Sequence, residues 1–195
     1  TLGAAGSLIL NGTQIFAPST MQGAPYFKQD GIERVVTLTS AGNLSAANIT
    51  VTGYDLRGNL VSETRAGPNA NTVATTQQFT KVTSVSSNAA LGTAMSVGTG
   101  DTGNTNWVET DYHVAPNNIT VAVSGVSGTV SVTAQNTLAD AQAAAPVAGD
   151  IFALAAITAA AANVQASYTV PPRFVRAINA SGSGAFKFTV LQAGI

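Results

Sequence analysis

The sequence predicts an all-β protein: an antiparallel β-sandwich or jelly-roll-like fold, arranged as two β-rich lobes with extended arms. Three observations carry this. Short runs with β-branched residues at every second position recur along the chain, as in NITVT (48–52), where Ile49 and Val51 face one way and Thr50 and Thr52 the other. Clusters of Gly, Asn, Asp and Ser separate those runs, as turns separate antiparallel strands. Charged residues make up only 9% of the chain, against roughly a quarter in an ordinary soluble domain, while hydrophobic residues hold at 45%. The polar faces of the strands are therefore written in Ser, Thr and Asn.

Taken in order, the predicted strands of the first lobe are RVVTLTS (34–40), NITVTGY (48–54), NLVSETR (59–65), TVATTQQFT (72–80), KVTSVSS (81–87) and AMSVGT (94–99). Residues 48–65 read as a β-hairpin, because Gly58 and Asn59 tolerate the positive φ of a tight turn and the Asp55 carboxylate reaches its own backbone two residues on. GTGDTGNTN (98–106) reads as a loop and a boundary between lobes. Beyond it come NWVETDYHV (106–114), NITVAVSG (118–125), GTVSVTAQ (128–135), FVRAIN (174–179) and AFKFTVLQ (185–192). Between them, residues 138–165 collapse into alanine, interrupted by Pro146 and Gly149, with no caps and no amphipathic stripe. This stretch is expected to be an extended or partly helical arm. The organisation that follows is an N-terminal arm at 1–32, a sandwich lobe at 33–105 and a second β-rich lobe at 106–195 that includes the alanine-rich segment.

Composition excludes several function classes. Eight Lys and Arg, scattered along the chain, form no basic run that could displace counterions from phosphates, so nucleic acid is not an expected partner. Cysteine is absent, which removes disulfides and thiolate metal sites. The opening TLGAAGSLILNG does not read as a signal peptide, and no run approaches the length of a membrane span. A net charge of −1 gives copies of the chain little mutual repulsion, which favours association through complementary surfaces.

No motif commits the chain to catalysis or to a cofactor. There is no GxSxG elbow, no Walker lysine loop and no GxGxxG opening a helix. Glu109, Asp111 and His113 alternate in ETDYH, so on a strand they would share a face and could gather a hard cation; the same alternation describes any solvent-exposed strand. His113 is the sole histidine, too few for a zinc set within one chain. Asp101 lies in a loop without the acidic ligand spacing of an EF-hand. Trp107 and Tyr112 could form a sugar-stacking platform, with core packing the plainer use. The Asn-X-Ser/Thr triplets at Asn11, Asn43, Asn48, Asn118 and Asn179 are what chance supplies in so Asn-, Ser- and Thr-rich a chain. No catalytic, cofactor or metal residue is therefore expected. The concentration of Asp55, Arg57, Glu63 and Arg65 in YDLRGNLVSETR (54–65) marks a candidate interaction rim along the hairpin, either solvent-facing or docked on a neighbouring subunit.

Several of these segments together resemble a family of tailed-bacteriophage virion structural proteins. The likeness lies in RVVTLTSAGNLSAANITVTGYDLRGNLVSETRAGPNANTVATTQQFTKVTSV, in MSVGTG and NWV, and in the closing PPRFVRAINASGSGAFKFTVLQAGI. In that family a G-x-D-x-x-G-N-x-x-S-E-T core recurs, followed by G-P-N and a T-V-x-T-T-x-x-F strand. The resemblance covers residues 33–110 and 170–195. It implies a non-enzymatic, multi-copy virion component assembled in the bacterial host cytoplasm; its motifs do not specify head, neck or tail, and the size, the low charge and the apolar arms at 1–30 and 138–165 favour a head decoration (cement) protein. The major capsid protein or other virion proteins would be its partners, and a homo-oligomer, a trimer on a local three-fold, its state; a neck or tail component or a receptor- or glycan-binding module is the alternative. Arg65 departs from the pattern, which has an uncharged residue after S-E-T.

Overall fold

The computed structural model describes residues 6–8, 32–113 and 118–193. Apart from Gly6–Leu8, the expected arm at 1–32 lies outside the described residues except for Ile32, which opens a strand. The fold is all-β and antiparallel, as predicted, and divides into two compact units, Thr1–Gly103 and Asn104–Ile195.

In the first unit β1 (Gly6–Leu8), β2 (Ile32–Thr39), β5 (Thr72–Phe79) and β7 (Met95–Thr105) form one sheet, with β2 between β7 and β5 and β1 beyond β7. The other sheet has β3 (Asn48–Tyr54) between β4 (Leu60–Ala66) and β6 (Lys81–Ser87). Period-two alternation turns Ile49 and Val51 of β3 inward onto Val36, Leu38, Phe79, Val82, Val85, Met95 and Val97. Two departures from strict alternation are bulges. Val82 and Val85 both reach the core, three residues apart, because the register with β3 slips between Thr52 and Gly53; Thr83 donates its hydroxyl to the Thr52 carbonyl across the irregularity (3.0 Å). Likewise Val35 and Val36 are both buried where β2 meets a bulge in β5.

The second unit has β10 (Val132–Thr137) between β11 (Ile151–Ala153) and β13 (Phe174–Asn179), with the short β8 (Val108–Glu109) on the far side of β13. Its other sheet has β9 (Ile119–Ser127) between β12 (Val164–Ser167) and β14 (Ala185–Gln192). Ile119, Val121, Val123, Val132, Ala134, Ile157, Val175 and Ala177 fill the core between them.

The six principal strands of each unit follow one connection plan. The first and second strands (β2 and β3; β9 and β10) each form the centre of a different sheet. The third (β4; β11) pairs with the second, the fourth (β5; β12) with the first, the fifth (β6; β13) with the second on its other side, and the sixth (β7; β14) with the first on its other side. The chain is thus a tandem of two topologically equivalent six-stranded sandwiches. No repetition of sequence announces this, because inward Val/Ile and outward Ser/Thr satisfy the plan without fixed identities.

Two sequence expectations are corrected. GTGDTGNTN is not a loop: residues 98–105 continue β7, although the division between units falls inside it, after Gly103. Its glycines serve close packing rather than turning, since a Cβ on Gly100 would lie 2.6 Å from the Val35 side chain and one on Gly103 2.6 Å from the Glu33 carbonyl oxygen. The alanine-rich segment 138–165, expected as an extended or partly helical arm, is built into its own unit instead of projecting from it. It carries β11 and the start of β12, its only helical turns are the three-residue 3-10 turns Ala148–Asp150 and Ala155–Ile157, and it buries Ile157 completely in its own unit's core. Alanine's helix propensity is overridden here by Pro146, by the missing stripe and by backbone pairing with β10: Gln135 opposite Ala153, and a bridge from Val132 to Ala160.

Candidate functional site

The charged stretch 54–65 is where the sequence concentrates its ionic groups, and the structure divides them between two intramolecular tasks. Asp55 builds the hairpin turn. Its Oδ1 accepts the backbone N–H groups of Arg57 and Asn59 (both 2.9 Å), its Oδ2 the Asn59 side-chain amide (3.1 Å), and its carbonyl the Gly58 N–H (3.1 Å). Only Gly58 takes the positive φ, at +79°, so the loop is a type I turn closed by a left-handed glycine. Arg57 follows the turn's corner, its backbone N–H held by Asp55.

Glu63 and Arg65 act elsewhere. They lie on one face of β4, two residues apart, and form an ion pair of 3.3 Å. Three residues of β5, Thr75 to Gln77, bulge out between Ala74 and Gln78, opposite the single residue Val36 of β2. A bulge of that size strands backbone polar groups that the ladder would otherwise satisfy. Glu63 takes the N–H groups of Thr76 (2.9 Å) and Gln77 (2.6 Å), Arg65 donates to the Ala74 carbonyl and the Thr76 hydroxyl, and the Thr75 hydroxyl accepts the buried Val36 N–H (2.8 Å) while donating to the Gln77 carbonyl (2.8 Å). Charge-assisted bonds of this kind are roughly twice as strong as neutral ones. Glu63 and Arg65 thus act together as a clasp from β4 onto the bulge in β5.

The alternating set Glu109, Asp111 and His113 does not assemble. β8 ends at Glu109 and the chain turns at Tyr112 and His113, so the three side chains do not share a strand face. Glu109 accepts from the Gln142 side chain (3.0 Å), and Asp111 bonds the His113 N–H (3.1 Å). Among the described residues no group of three or more His, Cys, Asp or Glu could hold a metal ion. Asp101 lies in β7 rather than in a loop, and its carbonyl accepts from Arg34. Trp107 carries the Arg176 guanidinium on its ring, 4.4 Å from the centroid, and Arg176 is held in turn by Gln135 (2.9 Å); one face of the ring thus has a protein partner. Tyr112 remains partly exposed beside His113, with Arg173 5.9 Å from its ring centre. Of the triplet asparagines, Asn179 is buried with its amide bonded to Ser131 and Gly182, and Asn43 folds its side chain onto Ser45; Asn11 lies outside the described residues.

Sequence reading missed a second polar cluster and an apolar edge, both in the second unit. Asp140 accepts the N–H groups of Gln142 and Ala143 (both 3.0 Å) and pairs with Arg173 (2.8 Å), which also lies over Phe174. The Ala143 N–H, with those of Gln142 and the Arg173 charge, holds the Asp140 carboxyl below its ordinary pKa. Burial pushes Tyr168 up to about 12. Three large apolar side chains are exposed here, Leu138 (61%) and Val147 (66%) in the segment that joins β10 to β11 and Phe152 (54%) in the terminal strand β11. The signal available for them was a Phe and a Val isolated in alanine with no periodic partner. No described helix is long and apolar enough to cross a membrane.

Comparison with protein-family models, curated proteins and solved structures finds no match to this chain.

Proposed function

We propose that the chain is a non-enzymatic structural component of a tailed-phage virion, a head decoration protein that stabilises the shell through contacts with the major capsid protein and with its own copies. The observation that carries this reading is how the few charges are spent. Asp55, Glu63, Arg65, Asp140 and Arg173 are all engaged inside their own unit, in turns and at a bulge. The outward strand faces bear paired hydroxyls instead, such as Thr50 with Thr64 and Thr120 with Ser167, both 2.8 Å. Such faces can be covered without stranding a charge, whose burial is far costlier than that of a hydroxyl. A shell protein needs area and multiplicity more than a reactive site: about 800 Å² per partner makes a specific contact, and repetition adds avidity. The phage-family resemblance supplies the identity of the assembly.

Mass analysis of purified virions tests this. Hundreds of copies per particle are expected, with particles lacking the protein bursting at lower osmotic or thermal stress; a dozen or fewer copies would move the protein to the neck or tail, and its absence from virions would end the proposal.

A further inference from the structure

Where the chain leaves β8 in the second unit, the successive N–H groups of residues 110–113 each find a partner. Thr110 donates to the Arg173 carbonyl (3.0 Å), Asp111 to the Gln192 side chain (2.8 Å), Tyr112 to the Thr110 carbonyl (3.1 Å) and His113 to the Asp111 carboxylate (3.1 Å). Gln192, at the end of β14, also donates its amide to the Asp111 carbonyl (2.6 Å), so one side chain grips both backbone groups of that residue as a neighbouring strand would. The buried Thr110 hydroxyl donates to the Pro172 carbonyl. Water could satisfy groups on a surface turn; bonds to residues 172, 173 and 192 instead fix where its side chains stand.

What this pinned turn presents is an aromatic pair. Tyr112 is 38% exposed, His113 is exposed, and their ring centroids lie 4.2 Å apart with planes tilted by 38°. The Arg173 guanidinium, 5.9 Å from the Tyr112 ring centre, is held by Asp140 (2.8 Å), and two residues beyond Asp140 the exposed Gln142 amide bonds the exposed Glu109 carboxylate (3.0 Å). An exposed ring already held in place loses little freedom when a ligand lies on it.

The surrounding chemistry selects the ligand. Three carboxylates, Glu109, Asp111 and Asp140, stand against one guanidinium, which disfavours phosphate, sulfate or carboxylate ligands. Charged side chains are depleted from the cores of protein–protein interfaces, which argues against a protein docked here. A carboxylate has about four acceptor sites, so Glu109 and Asp111 keep capacity for a ligand's hydroxyls beyond the bonds they make to Gln142 and His113. We infer that the turn is a glycan-binding site: a neutral hexose lays its C–H face on Tyr112 and donates hydroxyls to Glu109 and Asp111, with Gln192 as the positioning residue that holds the turn. This adds recognition to the structural role proposed above and does not depend on it.

The test is a titration of the purified full chain with neutral oligomers of glucose, galactose, mannose and N-acetylglucosamine, followed by amide shifts in nuclear magnetic resonance. At least one oligomer should bind saturably and shift residues 109–113 and 140–143. Tyr112→Ala should raise the dissociation constant at least about tenfold, as expected of an aromatic anchor, while Tyr112→Phe, which keeps the ring face, should retain binding. Glu109→Gln should weaken binding by removing a charge-assisted acceptor. Gln192→Ala should weaken it too and speed hydrogen exchange at the Asp111 N–H, leaving exchange in the core of the unit unchanged. Circular dichroism identifies any variant that has lost the fold, and the shift map of the parent chain decides the matter without a variant. No binding by any of the four oligomer classes, shifts lying elsewhere on the chain, affinity indifferent to Tyr112→Ala, or binding only of a sulfated glycan or of oligolysine would each overturn the inference.

Discussion

β4 and β11 hold the same place in the two sandwiches, and around them the units diverge. The strand before each is joined to it by a connection that starts on an aspartate turn: Asp55 in 55–59, Asp140 in 138–150. After each, the chain passes through an alanine with left-handed backbone, Ala70 (φ +51°) and Ala159 (φ +52°), on its way to β5 and β12. Both alanines are pinned by backbone bonds, the N–H of Ala70 to the Gly42 carbonyl (2.9 Å) and that of Ala159 to the Thr133 hydroxyl (3.0 Å). The first unit then spends an ion pair on closing its edge; the second spends its ion pair on a long connection and leaves its edge apolar. One plan tolerates both outcomes because the buried Val/Ile positions set the fold, while connections and edges are free to differ.

The largest test of that separation is to damage one core and watch both units. Phe79→Ala and Phe174→Ala each remove a completely buried ring and should each cost about 3–5 kcal/mol. Hydrogen exchange should accelerate first in the unit carrying the substitution; equal acceleration in both would show that the two sandwiches behave as a single body. Next in size is the clasp. Glu63→Ala strands the Thr76 and Gln77 N–H groups and leaves Arg65 without its carboxylate, for an expected loss of about 1–3 kcal/mol in denaturant unfolding. Exchange at those two amides should rise before the rest of the sheet responds.

Smaller, and opposite in sign, is the effect of relieving the two alanines. A left-handed alanine costs about 1 kcal/mol that glycine does not, so Ala70→Gly and Ala159→Gly should each raise the melting temperature. A fall in either would mean that the entropy glycine adds to the unfolded chain outweighs the strain. Smallest are the pH effects, both assigned to the second unit. Tyr168 keeps its proton in the folded state up to about 12 against 10.0 ordinarily, so stability should decline as pH rises through that interval; Tyr168→Phe should flatten the decline. Asp140 is lowered instead, so its contribution is present above its ordinary value of 3.8 and is lost as pH falls below it; Asp140→Asn should remove that acid slope.

Much of the fold was legible because period-two alternation writes each strand directly, and the hairpin at 48–65 was legible because Asp55 and Gly58 carry their own turn chemistry. The β7 extension was not, since Gly100 and Gly103 look like turn residues until Val35 and Glu33 are seen to crowd them. Nor was the role of Glu63 and Arg65: it depends on a bulge in β5, and a bulge is a mismatch between two strands that neither strand's sequence records alone. The apolar edge at Phe152 was hidden for a related reason, because exposure of a lone aromatic depends on where its strand falls in the sheet.

The aspartate-seeded turn at 55–59 is built on Asp55, with outside bonds from Thr80 to the Asp55 carbonyl and from the Leu56 N–H to Glu33, and its counterpart shows that the same joint accepts 138–150 in its place. Lengthening such a joint from five residues to thirteen adds only about 0.8 kcal/mol of closure entropy. A foreign peptide spliced between Arg57 and Gly58 gives up the bonds of Asp55 to Gly58 and Asn59 but leaves the pairing of β3 with β4 intact, so it should ride on the first sandwich without unravelling it, which makes this corner a natural place to hang an epitope or an affinity tag.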